Sequence, residues 1–210
     1  KIASLLILLS NSEAVDNVKT NFSVSKVEGI TWSVSGEASI DENNNVTLIA
    51  DKIGDIELTA KDASSNVMKT VPLVVQNTPS TALEISSVND LILFREAINN
   101  NGTYKNVKIN NAGKGLFFKL TADLDLSSVF GPNVNGKEEN WIPIGKWTKD
   151  LSSSFKGTFD GAGHSISHLY INLSDSDYQG LFGVIDVQGE VKNLSLINVD
   201  INADSYIGSV

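Results

Sequence analysis

Apolar and polar residues alternate along the first third of the chain in short runs broken by turn residues about every ten positions, the pattern of a small antiparallel sandwich. The runs Phe22–Val24, Ile30–Val34, Val46–Ile49, Ile56–Ala60 and Val71–Val75 are the predicted strands, and Trp32 is placed in their core. Between the second and third, Asp41–Asn45 is a hairpin tip, since Asn tolerates positive φ. The earlier apolar run Ala3–Leu9 is too short to span a bilayer and is assigned as a first strand in preference to a signal-peptide remnant. Asn77–Thr81 is polar, contains Pro79 and marks a boundary. Beyond it the pattern turns helical: Ser87 caps with Asp90 three residues on, Leu91, Phe94 and Ile98 share one face, and Asn99–Gly102 ends the element. A lone amphipathic helix ahead of a strand-rich segment is expected to cover an exposed sheet end.

From residue 116 the chain is strand-rich again and resembles itself. A shift of 25 sets Ile166 on Val191, Leu169 on Leu194, Ile171 on Leu196, Phe182 on Ile207, Gly183 on Gly208 and Ile185 on Val210. A fixed period of that size predicts a solenoid, with a parallel β-helix as its form because the repeat contains little helix. Gly180 and Gly183 then belong at corners where a Cβ would collide, while Leu181 and Phe182 fill the interior.

Two family resemblances rest on short motifs. The Thr31–Ser33 strand, the hairpin after it and the Gly54–Ala60 strand resemble bacterial immunoglobulin-like domains of surface proteins. Trp141–Gly145, Phe155–Ile166, Gly180–Gly183 and Val191–Leu194, preceded by Leu116–Leu126, resemble in their order the segment leading into GLUG-motif repeats of large bacterial surface proteins. Tyr206–Gly208 is a degenerate copy of the repeat, and the sequence stops at Val210 inside it, so a piece of a longer protein is expected. The resulting expectation is an all-β chain: an immunoglobulin-like β-sandwich over 1–77, a linker over 78–85, then a capping helix and the start of a right-handed parallel β-helix over 86–210. The resemblance implies a secreted, non-catalytic protein of the bacterial cell surface, an adhesin whose sandwich is a spacer and whose β-helix binds a host or bacterial glycan or protein. The alternatives are a polysaccharide lyase or hydrolase fragment, the non-catalytic front of a large surface peptidase, or a plain structural spacer.

Composition narrows the chemistry. Sixteen Lys and Arg against twenty-five Asp and Glu give a net charge of -9, which disfavours nucleic acid and anionic lipid as partners. The absence of cysteine removes disulfides, thiol catalysis and Cys-based metal sites. The two histidines, His164 and His168, are four apart but flank Ser165 in a strand-like stretch, so they form no zinc-protease motif and are assigned as hydrogen-bonded structural residues. Gly161–Gly163 is followed by Ile166 and no helix, which removes nucleotide binding, and no nucleophile elbow occurs. No catalytic residue and no cofactor is therefore expected, and metal binding is left open. Asp123 and Asp125 share one face of a strand, as a Ca²⁺ site or an acid–base pair on a sugar would require, and equally as a solvated face beside inward Leu124 and Leu126 would. Trp141, Trp147, Tyr170 and Tyr178, with Tyr104 beside them, are candidates for a glycan platform because aromatic faces stack on sugars. The ligand-binding candidates are thus Trp141, Trp147, Tyr170, Tyr178, Asp123 and Asp125.

Overall fold

The computed structural model of the chain describes residues 14–16, 22–24, 26–36, 38–48 and 54–208. The described residues are mostly strands with one α-helix, and none of their helices is long and apolar enough to cross a membrane. The predicted strand Ala3–Leu9 and the end of the third strand at Ile49 lie outside them. The chain divides into two compact units, Lys1–Ser80 and Thr81–Val210.

Unit 1 holds β1 (Ala14–Asp16), β2 (Phe22–Ser23), β3 (Thr31–Ser35), β4 (Ala38–Ile40), β5 (Asn45–Leu48), β6 (Gly54–Lys61) and β7 (Val67–Gln76). They form a four-stranded sheet ordered β1-β7-β6-β3 and a three-stranded sheet ordered β2-β5-β4. All pairings are antiparallel except β1 with β7, which is parallel. The alternation is what puts Trp32, Ile56, Leu58 and Ala60 on one side, where they meet Val24 and Val46 in a single core. Both hairpin tips use one device. The Asp41 carboxylate accepts from the backbone N–H groups of Asn43 and Asn45, Asp62 accepts from those of Ser64 and Asn66, and Asn44 and Ser65 take positive φ. The second tip and strand β4 were not expected; the spacing of Asp followed by Asn four residues on is common to both tips.

Unit 2 opens with β8 (Leu83–Ile85) and α1 (Val88–Asn100). Ser87 caps α1 by accepting from the Asp90 N–H, Asp90 reaches back to Ser86, and Asn101 ends the helix in the left-handed region. The buried face places the Phe94 ring 4.6 Å from that of Phe118, 5.7 Å from Phe159 and 6.1 Å from Phe155, so a cluster of phenylalanines lies under the helix. The remaining strands are β9 (Thr103–Tyr104), β10 (Val107–Lys108), β11 (Phe117–Leu120), β12 (Leu124–Asp125), β13 (Gly131–Val134), β14 (Lys137–Glu139), β15 (Thr158–Asp160), β16 (Ser165–Ser167), β17 (Tyr170–Leu173), β18 (Glu190–Lys192), β19 (Ser195–Ile197) and β20 (Asp200–Ala203).

Apart from the β9–β10 and β13–β14 hairpins, every pairing in unit 2 is parallel: β8-β11-β15-β18, β12-β16-β19 and β17-β20. The register corrects the self-alignment. Ile166 pairs with Leu196 and Ile171 with Ile201, an offset of 30 and not 25, while Phe159 is the residue that faces Val191. The glycines behave as expected at close approaches. A Cβ on Gly183 would lie 2.5 Å from the Gly145 carbonyl oxygen, and one on Gly180 would collide with that of Gly208, while Leu181 and Phe182 are buried.

Candidate functional site

Successive passes of unit 2 differ in length, and the extra residues stand out from the ladders. The bridge residues Ile144 and Phe155 pair with Phe182 and Ile185, so the loop 146–153 has no counterpart between Phe182 and Ile185. A second excursion forms the β13–β14 hairpin. Surface concavities form where these excursions lean on the following pass.

The 146–153 loop carries Trp147, which is 52% exposed. Its ring stacks on Tyr178 at 5.6 Å and 7°, and Tyr178 stacks on Tyr206 at 4.6 Å and 2°. The two tyrosines occupy matching corners with φ of 57° and 54°, so their side chains project alike and superpose. The corner is held by the Tyr178 N–H donating to the Ser205 carbonyl and the Ser205 N–H donating to the Asp177 carboxylate. Beside this column lies a cleft of about 380 Å³ lined chiefly by Ile142, Pro143, Trp147, Leu173, Tyr178 and Gln179, with Lys146 and Asp177 adding one charge of each sign. An apolar cleft with an open indole and a few polar groups suits a ligand that has both apolar and hydroxylated faces. Tyr206 was not among the expected residues; its signal is the Ser/Asp run before it, which repeats the one before Tyr178.

Trp141 is placed differently. It is fully buried, its indole N–H donates to the Leu181 carbonyl, its ring meets Phe130 edge-on at 5.3 Å and the Arg95 guanidinium covers it at 4.7 Å. Trp141 is a core residue that backs the floor of the cleft and exposes no ring surface to solvent. Tyr104 is likewise buried, with its hydroxyl donating to the Glu84 carbonyl. Tyr170 is partly exposed and donates to Glu138 at 2.6 Å; this bond raises the phenol and lowers the carboxyl from their ordinary values.

Asp123 and Asp125 share an exposed edge, and Leu124 and Leu126 between and beyond them are buried. What faces each carboxylate is a histidine of the next pass. Asp123 accepts from the Ser165 N–H and lies 3.3 Å from His164 Nδ1; Asp125 accepts from the Ser127 N–H and lies 2.9 Å from His168 Nδ1. These backbone N–H groups first, and the imidazoles after them, hold both carboxyls below the usual aspartate value. His168 Nε2 is 3.3 Å from Asn198 Nδ2, which extends the row one pass further. Asp160 is engaged elsewhere, by the Asn193 side chain and the Ala162 N–H. Among the described residues no group of three or more His, Asp or Glu side chains is arranged to hold a metal ion.

No family model matches the chain, and no solved structure matches it. It is similar to halomucin of Haloquadratum walsbyi, 32% identical over 180 residues, which is 86% of this chain and 2% of that protein. It is also similar to a protein of Evansella cellulosilytica named as a Gly-rich membrane protein, 41% identical over 87 residues, or 41% of this chain and 9% of the other. The chain thus spans a small fraction of both relatives.

Proposed function

We propose that the chain is a non-catalytic segment of a large cell-surface protein and that it binds a glycan or protein of a host or neighbouring bacterial cell at the Trp147 cleft. In this reading unit 1 is an immunoglobulin-like spacer, and unit 2 is the start of a right-handed parallel β-helix of the kind that carries GLUG repeats, with α1 as its cap. The three parallel ladders and the glycine close approaches support the second assignment. The names of the two relatives, one a mucin by name and one a membrane protein, support an extracellular or membrane-associated location. The observation that carries the function is the half-exposed Trp147 standing over an apolar cleft and backed by stacked tyrosines. Exposing an indole costs hydration free energy that a partner's apolar face recovers, and such anchors dominate binding.

The test is retention of the chain on immobilised host glycans, matrix proteins and bacterial polysaccharides, with released fragments measured in the same run. Retention without fragments, weakened at least about tenfold by Trp147→Ala, is the expected result. Retention unchanged by that substitution would contradict the site, and fragment release would contradict the non-catalytic reading.

A further inference from the structure

A second concavity, of about 300 Å³, lies where the β13–β14 hairpin leans on the following passes, away from the Trp147 loop. The buried Phe130 and Leu169 are among its lining residues. One wall is the hairpin strand Gly131–Val134; the other carries Tyr170 and Asp200, which are direct partners in the β17–β20 ladder, together with His168 and Asn198.

The hairpin wall is fixed in place. Glu138 accepts from the Tyr170 hydroxyl at 2.6 Å and from the Asn172 side chain at 2.7 Å, and Asn140 accepts from the Asn172 backbone N–H. A groove held open in this way spends little ordering entropy on a ligand. Its polar groups are also set. With Asp125 accepting from His168 Nδ1–H, the opposite nitrogen is an acceptor for the Asn198 amide N–H, which leaves the Asn198 carbonyl oxygen for another partner. The exposed Asp200 carboxylate makes no ion pair or side-chain hydrogen bond with a described residue. Among the lining residues there is no Lys or Arg, so Asp200, with Asp125 and Glu138 close by, makes the groove negative.

We propose that this groove binds a protonated amino sugar of a polysaccharide, with the sugar's C–H face against Tyr170 and Pro132, its hydroxyls on the Asn198 amide and its ammonium on Asp200. The ring and proline supply apolar surface, the amide supplies directional hydrogen bonding, and the unmatched carboxylate supplies the preference for a cation over a neutral or acidic sugar. The site differs from the Trp147 cleft in charge, since that cleft pairs Lys146 with Asp177 whereas this groove is lined by a carboxylate and no Lys or Arg.

The experiment is a titration of the whole 210-residue chain, isotope-labelled and followed by its amide NMR signals, with a glucosamine trimer, its N-acetylated counterpart and trigalacturonate. The glucosamine trimer is expected to shift the amides of Asn133, Asn198 and Asp200 and to bind more tightly than the other two. Asp200→Asn, which keeps the side-chain shape, is expected to weaken the glucosamine trimer about fivefold at low salt and leave the N-acetylated trimer unchanged. Trp147→Ala is expected to leave glucosamine binding intact, so loss of the first site is distinguishable from loss of this one. Trigalacturonate binding as tightly as the glucosamine trimer, shifts confined to residues outside the groove, or an unchanged affinity in Asp200→Asn would each overturn the proposal; the first two need only the unaltered chain.

Discussion

Units 1 and 2 are both built of short strands, yet they place their surface chemistry by different rules. In unit 1 the neighbours joined by a hairpin are close in sequence, and a polar side chain such as Asp41 or Asp62 acts within its own turn. In unit 2 each strand of the parallel ladders meets one from the next pass, so a side chain meets a counterpart far along the chain. The separation is about 40 residues for Asp123 and Asp125 with the histidines, and about 30 in the last passes, where Asn202 donates to Asn172, Tyr178 stacks on Tyr206 and His168 faces Asn198. Parallel stacking therefore extends a surface residue into a column. Antiparallel pairing confines it to a turn. The two candidate ligand surfaces both lie in unit 2, where columns of like side chains border the excursions of the chain.

The largest effect is expected in the core that separates the two units most clearly. Phe118→Ala should cost unit 2 about 3–5 kcal/mol, because it empties a buried place in the phenylalanine cluster between Phe94 and Phe155, while unit 1 keeps its own unfolding transition, followed by the NMR signals of its buried Trp32 and Leu58. A single joint shift of both transitions would break the comparison. Glycines sharpen it next. Gly161→Ala would set a Cβ 2.5 Å from the Asn193 carbonyl oxygen of the neighbouring pass and should cost about 1–3 kcal/mol by calorimetry. Gly29→Ala in unit 1 faces open space and has only its φ of +74° to oppose it, worth about 1 kcal/mol.

Acid gives the smallest effect. The carboxyls of Asp123 and Asp125 are held below the usual 3.8 in the folded chain, so their contribution is complete above that value and is lost as pH falls through the lowered one. Asp41 and Asp62 follow the same sign in unit 1. Replacing Asp123 and Asp125 by Asn should flatten the acid side of unit 2's melting profile below about pH 4, measured by circular dichroism, and leave that of unit 1 as steep as before.

Local features were legible in the sequence because their causes are local. The α1 cap is Ser87 with Asp90, the helix face is Leu91, Phe94 and Ile98, and the Asp41 turn closes a hairpin, all within a few residues. The register was not legible. Alternating strands match one another at many shifts, and the shift of 25 aligned apolar residues that the ladders place opposite other partners. The positive-φ corners discriminate better: His168 and Asn198, like Tyr178 and Tyr206, repeat the same backbone state. The hairpin β13–β14 was missed because Lys137, Glu138 and Glu139 are all exposed and show no alternation. Trp141 and Trp147 were equal candidates in the sequence, because what separates them is packing: Phe130, Arg95 and the Leu181 carbonyl enclose the first, and none of these is a sequence neighbour. The His–Asp pairs join residues more than forty positions apart, which no local spacing displays.

The central claim, that the surface of unit 2 is built in columns by parallel strands of successive passes, with an offset of 30 residues between β17 and β20, can be tested in a chain that has no cysteine of its own. Asn172 and Asn202 are ladder partners with hydrogen-bonded side chains, close enough that paired cysteines there meet the spacing a disulfide needs. Under mild oxidation Asn172→Cys with Asn202→Cys should crosslink rapidly and completely, whereas Asn172→Cys with Ile197→Cys, the pair at an offset of 25, should stay reduced. Crosslinking of the second pair in preference to the first would contradict the account.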